Sequence, residues 1–166
     1  YDAELKNRDG YNAFDLTRGY INVTGDLTSA ISYRITPDVR RITDGSLAGS
    51  LVLRVKYAFA QLKGPTVGSY LRFGDHQTPW IDFEERIQRY RVQGTMFSER
   101  KGVVPGSGDF GLGYYSPLPS NYGDFQVGVY NGEGFTRNEA TKHTSFQGRV
   151  SIRPLPTAGL AQGLRV

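Results

Sequence analysis

Seven basic residues stand where β-strands would carry them on one face: Arg18, Arg34, Arg54, Lys56, Arg72, Arg149 and Arg153. The pattern is plainest in LVLRVKYAFAQL (51–62), where Arg54 and Lys56 alternate with Leu51, Leu53, Val55, Tyr57 and Phe59. Successive side chains of a strand point to opposite faces, so the two kinds of residue part company. Arg34 shares its parity with Ser32 and Thr36 against Ile31, Tyr33 and Ile35, and Arg72 stands against Leu71 and Phe73. Arg149 and Arg153 accompany Gln147 and Ser151 against Phe146, Val150 and Ile152, and Arg18 accompanies Tyr20, Asn22 and Thr24 against Gly19, Ile21 and Val23. Almost no acid shares that face, since Asp38 and Asp75 fall at strand ends or on the other parity. A wall of fixed cations concentrates anions beside it, and the planar fork of arginine can pass an oxyanion from one bidentate contact to the next without losing its charge. The chemistry is selection of anions.

Other constellations carry less. GSGDFG (106–111) has the spacing of a nucleotide-binding glycine turn, but a loop with Pro105 precedes it and the strand-like LGYYS follows, where a strand and then a helix are required. His76 and His143 are far apart and the chain has no Cys, so neither a metal site nor a disulfide is expected. Asn22, Val23 and Thr24 form a glycosylation sequon by pattern only, in mid-strand.

The segment 79–108 holds WIDFEERIQRYRVQGTMFSERKG. Pro79 breaks a strand there, and Asp82, Glu84 and Glu85 followed by Arg86, Arg89 and Arg91 predict a short amphipathic helix with acids toward its N-terminus. Adjacent Glu84 and Glu85 would not face each other on a helix, which speaks against a paired-carboxylate hydrolase. The segment is either a solvated loop with internal salt bridges or a constriction loop folded inward, whose arginines extend the cation row while its acids temper it. No enzymatic activity and no cofactor are expected. Lys+Arg number 20 against 16 Asp+Glu, but a single-strand nucleic-acid binder needs aromatics and cations on one face. Tyr57, Phe59, Phe73 and Phe146 lie opposite the arginines by parity, so nucleic acid is not an expected partner.

The elements that position these residues are strands. Period-2 runs cover Phe14 to Gly25, Ser29 to Asp38, Ser50 to Leu62, Ser69 to Thr78, Asp109 to Ser116, Phe125 to Asn131 and Thr144 to Arg153, and an eighth begins at Leu164. At 166 residues the chain reads as one domain, 1–166. No run approaches the 18 apolar residues of a spanning helix. The mean hydropathy of −0.45 is what alternating strands give even with one face against lipid. There is no basic, apolar, small-residue leader at the start, so the chain reads as mature or cut.

Connections alternate in length. GDLT (25–28), KGPTVG (63–68) and PLPSNYG (117–123) are short, whereas 39–49, 79–108 and 132–143 are long and polar. That is the layout of an antiparallel up-and-down transmembrane β-barrel with its polar face inside. A charge on a lipid face costs about 2 to 4 kcal/mol at the midplane, which accounts for the absence of Arg and Lys from the apolar parity. Aromatics near strand ends (Phe14, Tyr57, Phe59, Trp80 and Phe125) also fit a membrane rim. A soluble antiparallel barrel or sandwich alternates too, and periodicity alone does not say which side is wet. The alternative is therefore a soluble β-domain that binds anions or nucleic acid.

LRFGDHQTPW (71–80), YRVQGTMFSER (90–100) and FQVGVYNGEG (125–134) resemble the phosphate-selective porin O and P family of Gram-negative outer membranes, as does the hairpin FDLTRGYINVTGDLTSAISYRITPDV (14–39). The resemblance runs from about Phe14 to the end. It implies a barrel of about 16 strands, of which this chain would supply about seven, set in outer-membrane lipid and often a homotrimer. It also implies passive diffusion of small anions such as phosphate, with the strand arginines matching the family's lumenal ladder. Its lysine cluster finds no match here. The chain ends at Val166 in a strand just begun, not on the family's terminal aromatic residue, so a partial chain truncated at both ends is expected.

Overall fold

The computed structural model describes residues 14, 16, 18–88, 94–104, 106–135 and 143–166, with Arg18 described by its backbone alone. One antiparallel sheet is formed by β1 (Arg18–Tyr20), β2 (Val23–Asp26), β3 (Ile31–Arg41), β4 (Leu51–Lys63), β5 (Tyr70–His76), β6 (Asp109–Pro117), β7 (Gly123–Tyr130) and β8 (Ser145–Ile152). Helices α1 (Pro79–Ile87) and α2 (Phe97–Arg100) lie between β5 and β6. From β3 onward each strand pairs with the next in the chain, while β1 and β2 both pair with β3. This is the expected up-and-down order, in a sheet whose two edges do not meet. Past β8 a 3-10 turn, Gly159–Gly163, brings the chain back, and Ile152 and Val166 exchange backbone hydrogen bonds of 2.8 and 2.9 Å.

Two irregularities centre on Pro37. The first period-2 run is divided into β1 and β2, which keep a single register against β3: Tyr20 faces Asp38 and Val23 faces Ile35. Pro37 lies between these pairs. Its carbonyl accepts from the Ile21 N–H at 3.0 Å, but it has no N–H to return, so the ladder lapses for two residues.

The other irregularity lies on the far side of β3. Thr36 pairs with Tyr57 and Pro37 with Val55, leaving Lys56 as the extra residue of a β-bulge. Before the bulge Leu51, Leu53 and Val55 are exposed; after it Tyr57 and Phe59 are buried. Parity predicts both aromatics on the apolar face, near its rim. The bulge instead turns them to the side of the cations.

Burial distinguishes the two faces. Leu53 (62% exposed), Phe73 (56%) and Phe146 (76%) stand on the open side, with Phe110, Leu112, Val129, Val150 and Ile152. Thr36 (1%), Lys56 (3%) and Gln126 (1%) are covered, with Arg149 and Ser151. The sheet is thus apolar outward and polar inward, with α1 packed across the polar face against β7 and β8. A small apolar core, Ile81, Met96 and Tyr130, fills the space between with buried His76. The Tyr130 ring fits because the backbone around it is bare: a Cβ at Gly111 or Gly128 would stand 2.7 Å from the ring, and one at Gly113 would stand 2.9 Å from the hydroxyl. Gly74 takes a left-handed φ of 122°, where a Cβ would meet the Ala58 carbonyl oxygen at 2.3 Å.

Candidate functional site

The strand cations Arg34, Arg54, Lys56, Arg72 and Arg149 do gather on the polar face, but carboxylates meet them there. Arg54 donates from Nε (3.1 Å) and Nη2 (2.9 Å) to Oδ2 of Asp38, its cross-strand neighbour, which is fully buried. Asp124 accepts from Arg149 and, at 3.2 Å, from Arg165. Arg149 also donates from Nε to the Pro79 carbonyl at 3.1 Å, and its guanidinium lies 4.6 Å from the Phe83 ring centre, so it ties β8 to α1. The expectation of a cationic face nearly free of acid is corrected by these pairs. Asp38 lies well inside β3, which continues to Arg41, and Asp124 lies inside β7, which begins at Gly123.

Further acids arrive from α1. Its start follows from Pro79, whose fixed φ and missing N–H suit a first helical position. Asp82 accepts from Arg72 Nη1 at 3.1 Å and from Arg86 Nη2 at 3.0 Å. Glu85 accepts from the Tyr57 hydroxyl and from Gln77 Nε2, both at 3.0 Å, and Lys56 Nζ lies 3.9 Å away. Glu84 turns to α2 instead and accepts from the Ser98 N–H at 3.4 Å and from its hydroxyl. Neighbouring glutamates on a helix diverge in this way. The described part of 79–108 thus lies on the polar face, with α1 held there by two carboxylates, Asp82 and Glu85.

Asp82 also closes a circuit with the wall. Arg72 lies 4.4 Å from the Tyr70 ring centre, Tyr70 stacks on Tyr115 at 4.8 Å, and Arg86 lies 5.3 Å from the Tyr115 ring centre. Burial works against the charge of Arg86, but Asp82, followed by Tyr115 and Asp124, outweighs it and holds the guanidinium proton above its ordinary range.

Arg34 is placed differently. Nε donates to Thr36 Oγ1 and Nη2 to Asn22 Oδ1, each at 2.9 Å, and the guanidinium lies 5.2 Å from the Tyr57 ring centre. It has no carboxylate partner among the described residues. Three cavities on the polar side, of about 450, 230 and 540 Å³, all border it. Arg153 lies beyond the end of β8 and donates to Asn121 at the β6–β7 turn at 2.8 Å, apart from the wall cations. Arg18 stands in β1 opposite Arg40, and Arg89 and Arg91 lie outside the described residues.

Rings accompany the cations throughout. Arg72 lies 4.8 Å from the Phe59 ring centre, Lys56 lies 4.6 Å from that of Tyr20, and Arg54 lies 4.8 Å from that of Phe135. Tyr57 and Phe59 therefore share the polar face with the cations, contrary to the parity argument, whereas Phe73 and Phe146 stand on the opposite face as that argument has them. Helix α1 packs on part of that face, against β7 and β8, on the side of the cations. No family model, curated protein or solved structure matches the chain.

Proposed function

We propose that this chain is part of the wall of an outer-membrane porin, a water-filled channel through which small anions, phosphate among them, diffuse passively. The reading carries with it a closed barrel of about 16 strands in the Gram-negative outer membrane, assembled as a homotrimer and without enzymatic activity. One observation supports it above all: the sheet exposes its apolar face and buries its polar one. In water that arrangement leaves a continuous apolar surface uncovered, at about 25 cal/mol for each Å². Against lipid the same surface needs no cover, and the polar groups face a wet interior. Unpaired strand edges in lipid cost several kcal/mol per group, so the reading requires further strands to complete the barrel.

The selectivity expected is modest, because Arg54, Lys56, Arg72 and Arg149 are each in an ion pair and Arg34 is in none among the described residues. The test is reversal potential across a planar bilayer in a potassium chloride gradient, with the full-length protein. A few-fold preference for chloride is expected, and Arg34→Glu should move the potential toward cations. Cation preference in the unaltered protein would remove the anion reading. Full-length protein that stays monodisperse without detergent and forms no conductance would favour the soluble β-domain that binds anions or nucleic acid.

A further inference from the structure

The two inner cavities of about 230 and 540 Å³ share one pair of opposite charges, Arg34 from β3 and Glu85 from α1. One side chain, Tyr57, contacts both. The Arg34 guanidinium lies 5.2 Å from the centre of the Tyr57 ring, and the Tyr57 hydroxyl donates to Glu85 Oε1 at 3.0 Å. Tyr57 is itself buried, turned inward by the bulge at Lys56. The span between the charges is therefore set by one phenol and a contact at either end.

Both charges have capacity left. Arg34 uses two of its five N–H donors, on Thr36 and Asn22, and has no carboxylate among the described residues. Glu85 takes its hydrogen bonds from uncharged Tyr57 and Gln77, and its ion pair with Lys56 spans 3.9 Å. The other charges of the larger cavity are already engaged, since Arg72 and Arg86 both close on Asp82.

We propose that Arg34 and Glu85 form a bipolar site for small zwitterions of the amino-acid class, the carboxylate seated on Arg34 and the ammonium on Glu85. The proposal rests on the channel reading and adds a second class of solute beside its anions. A simple anion drawn to Arg34 meets the field of Glu85 one phenol away, and a simple cation drawn to Glu85 meets Arg34 and Lys56. A solute carrying both charges is attracted at both ends, and its dipole is aligned before it passes.

Swelling of liposomes containing the full-length protein tests this, with glycine compared against glycolamide, a neutral solute of nearly the same size. Glycine should enter severalfold faster, after subtraction of the rate in protein-free liposomes. Arg34→Gln and Glu85→Gln should each bring the ratio close to unity, and Arg34→Lys should keep most of it. Circular dichroism of the reconstituted vesicles checks that each variant is folded. Equal rates in the unaltered protein, or a ratio that survives both glutamine substitutions, would overturn the bipolar site and leave the channel intact. Entry of neither solute above the protein-free rate would overturn the channel reading and the site together.

Discussion

An arginine placed at Phe73 or Leu112 is expected to lower folding stability in phospholipid vesicles by about 2 to 4 kcal/mol. The two residues are cross-strand neighbours in a row that runs over five strands: Ala60, Phe73, Leu112, Val129 and Phe146. Phe73 and Leu112 are both already exposed on the open side of the sheet. In a soluble protein a charge at such a position meets water, and surface changes of that kind usually stay within about 0.5 kcal/mol. In a barrel wall it meets hydrocarbon. Urea unfolding of the full-length protein in vesicles measures the difference, with Phe73→Ala and Leu112→Ala reporting the loss of side-chain bulk alone. Near-neutral arginine variants would remove the membrane from the reading, whatever the fold.

Much of this sheet is legible in the sequence because its two faces differ so sharply. The period-2 runs locate the strands, the short turns and long connections locate the two ends, and Pro79 with the following acids locates α1. Arg34, Arg54, Lys56, Arg72 and Arg149 fall on the predicted face. What escapes is whatever depends on pairing. The bulge at Lys56 reverses the parity of Tyr57 and Phe59, and one strand's periodicity has no means of recording how many residues its neighbour supplies. Pro37 is the local sign of trouble, since a proline within an inner strand marks a bulge or a lapse in the ladder, and both occur beside it. Asp38 and Asp124 sit near the limits of their runs, where a shift of one or two residues decides whether an acid belongs to the wall. The destinations of Asp82 and Glu85 are tertiary facts that the amphipathic pattern of α1 leaves open. Alternation is likewise shared by soluble and membrane sheets, and the packing of α1 on the polar side is a tertiary fact that the pattern does not record.

Arg149→Met is expected to cost about 3 to 5 kcal/mol, the range for removing one member of a buried ion pair. The guanidinium and the Asp124 carboxylate it meets are both almost completely covered, with side-chain exposures of 5% and 6%. Methionine leaves that carboxylate with Arg165 alone, whose contact is longer at 3.2 Å and whose side chain is 30% exposed. It also leaves the Pro79 carbonyl without its donor and Phe83 with only the more distant guanidinium of Arg165, 5.8 Å from its ring centre, so the start of α1 loses two contacts with β8. The loss should therefore appear in two measurements on the full-length protein: a lower urea midpoint in vesicles, and faster proteolysis within 79–88. A second substitution separates the causes. If the stranded carboxylate dominates, Asp124→Leu in the Arg149→Met background restores most of the stability, because a pair replaced by apolar groups of similar volume is often neutral. If the tie to α1 dominates, the double variant regains little stability and the helix stays open to protease. A single variant within about 0.5 kcal/mol of the unaltered protein would mean that Arg149 holds neither the carboxylate nor the helix in place.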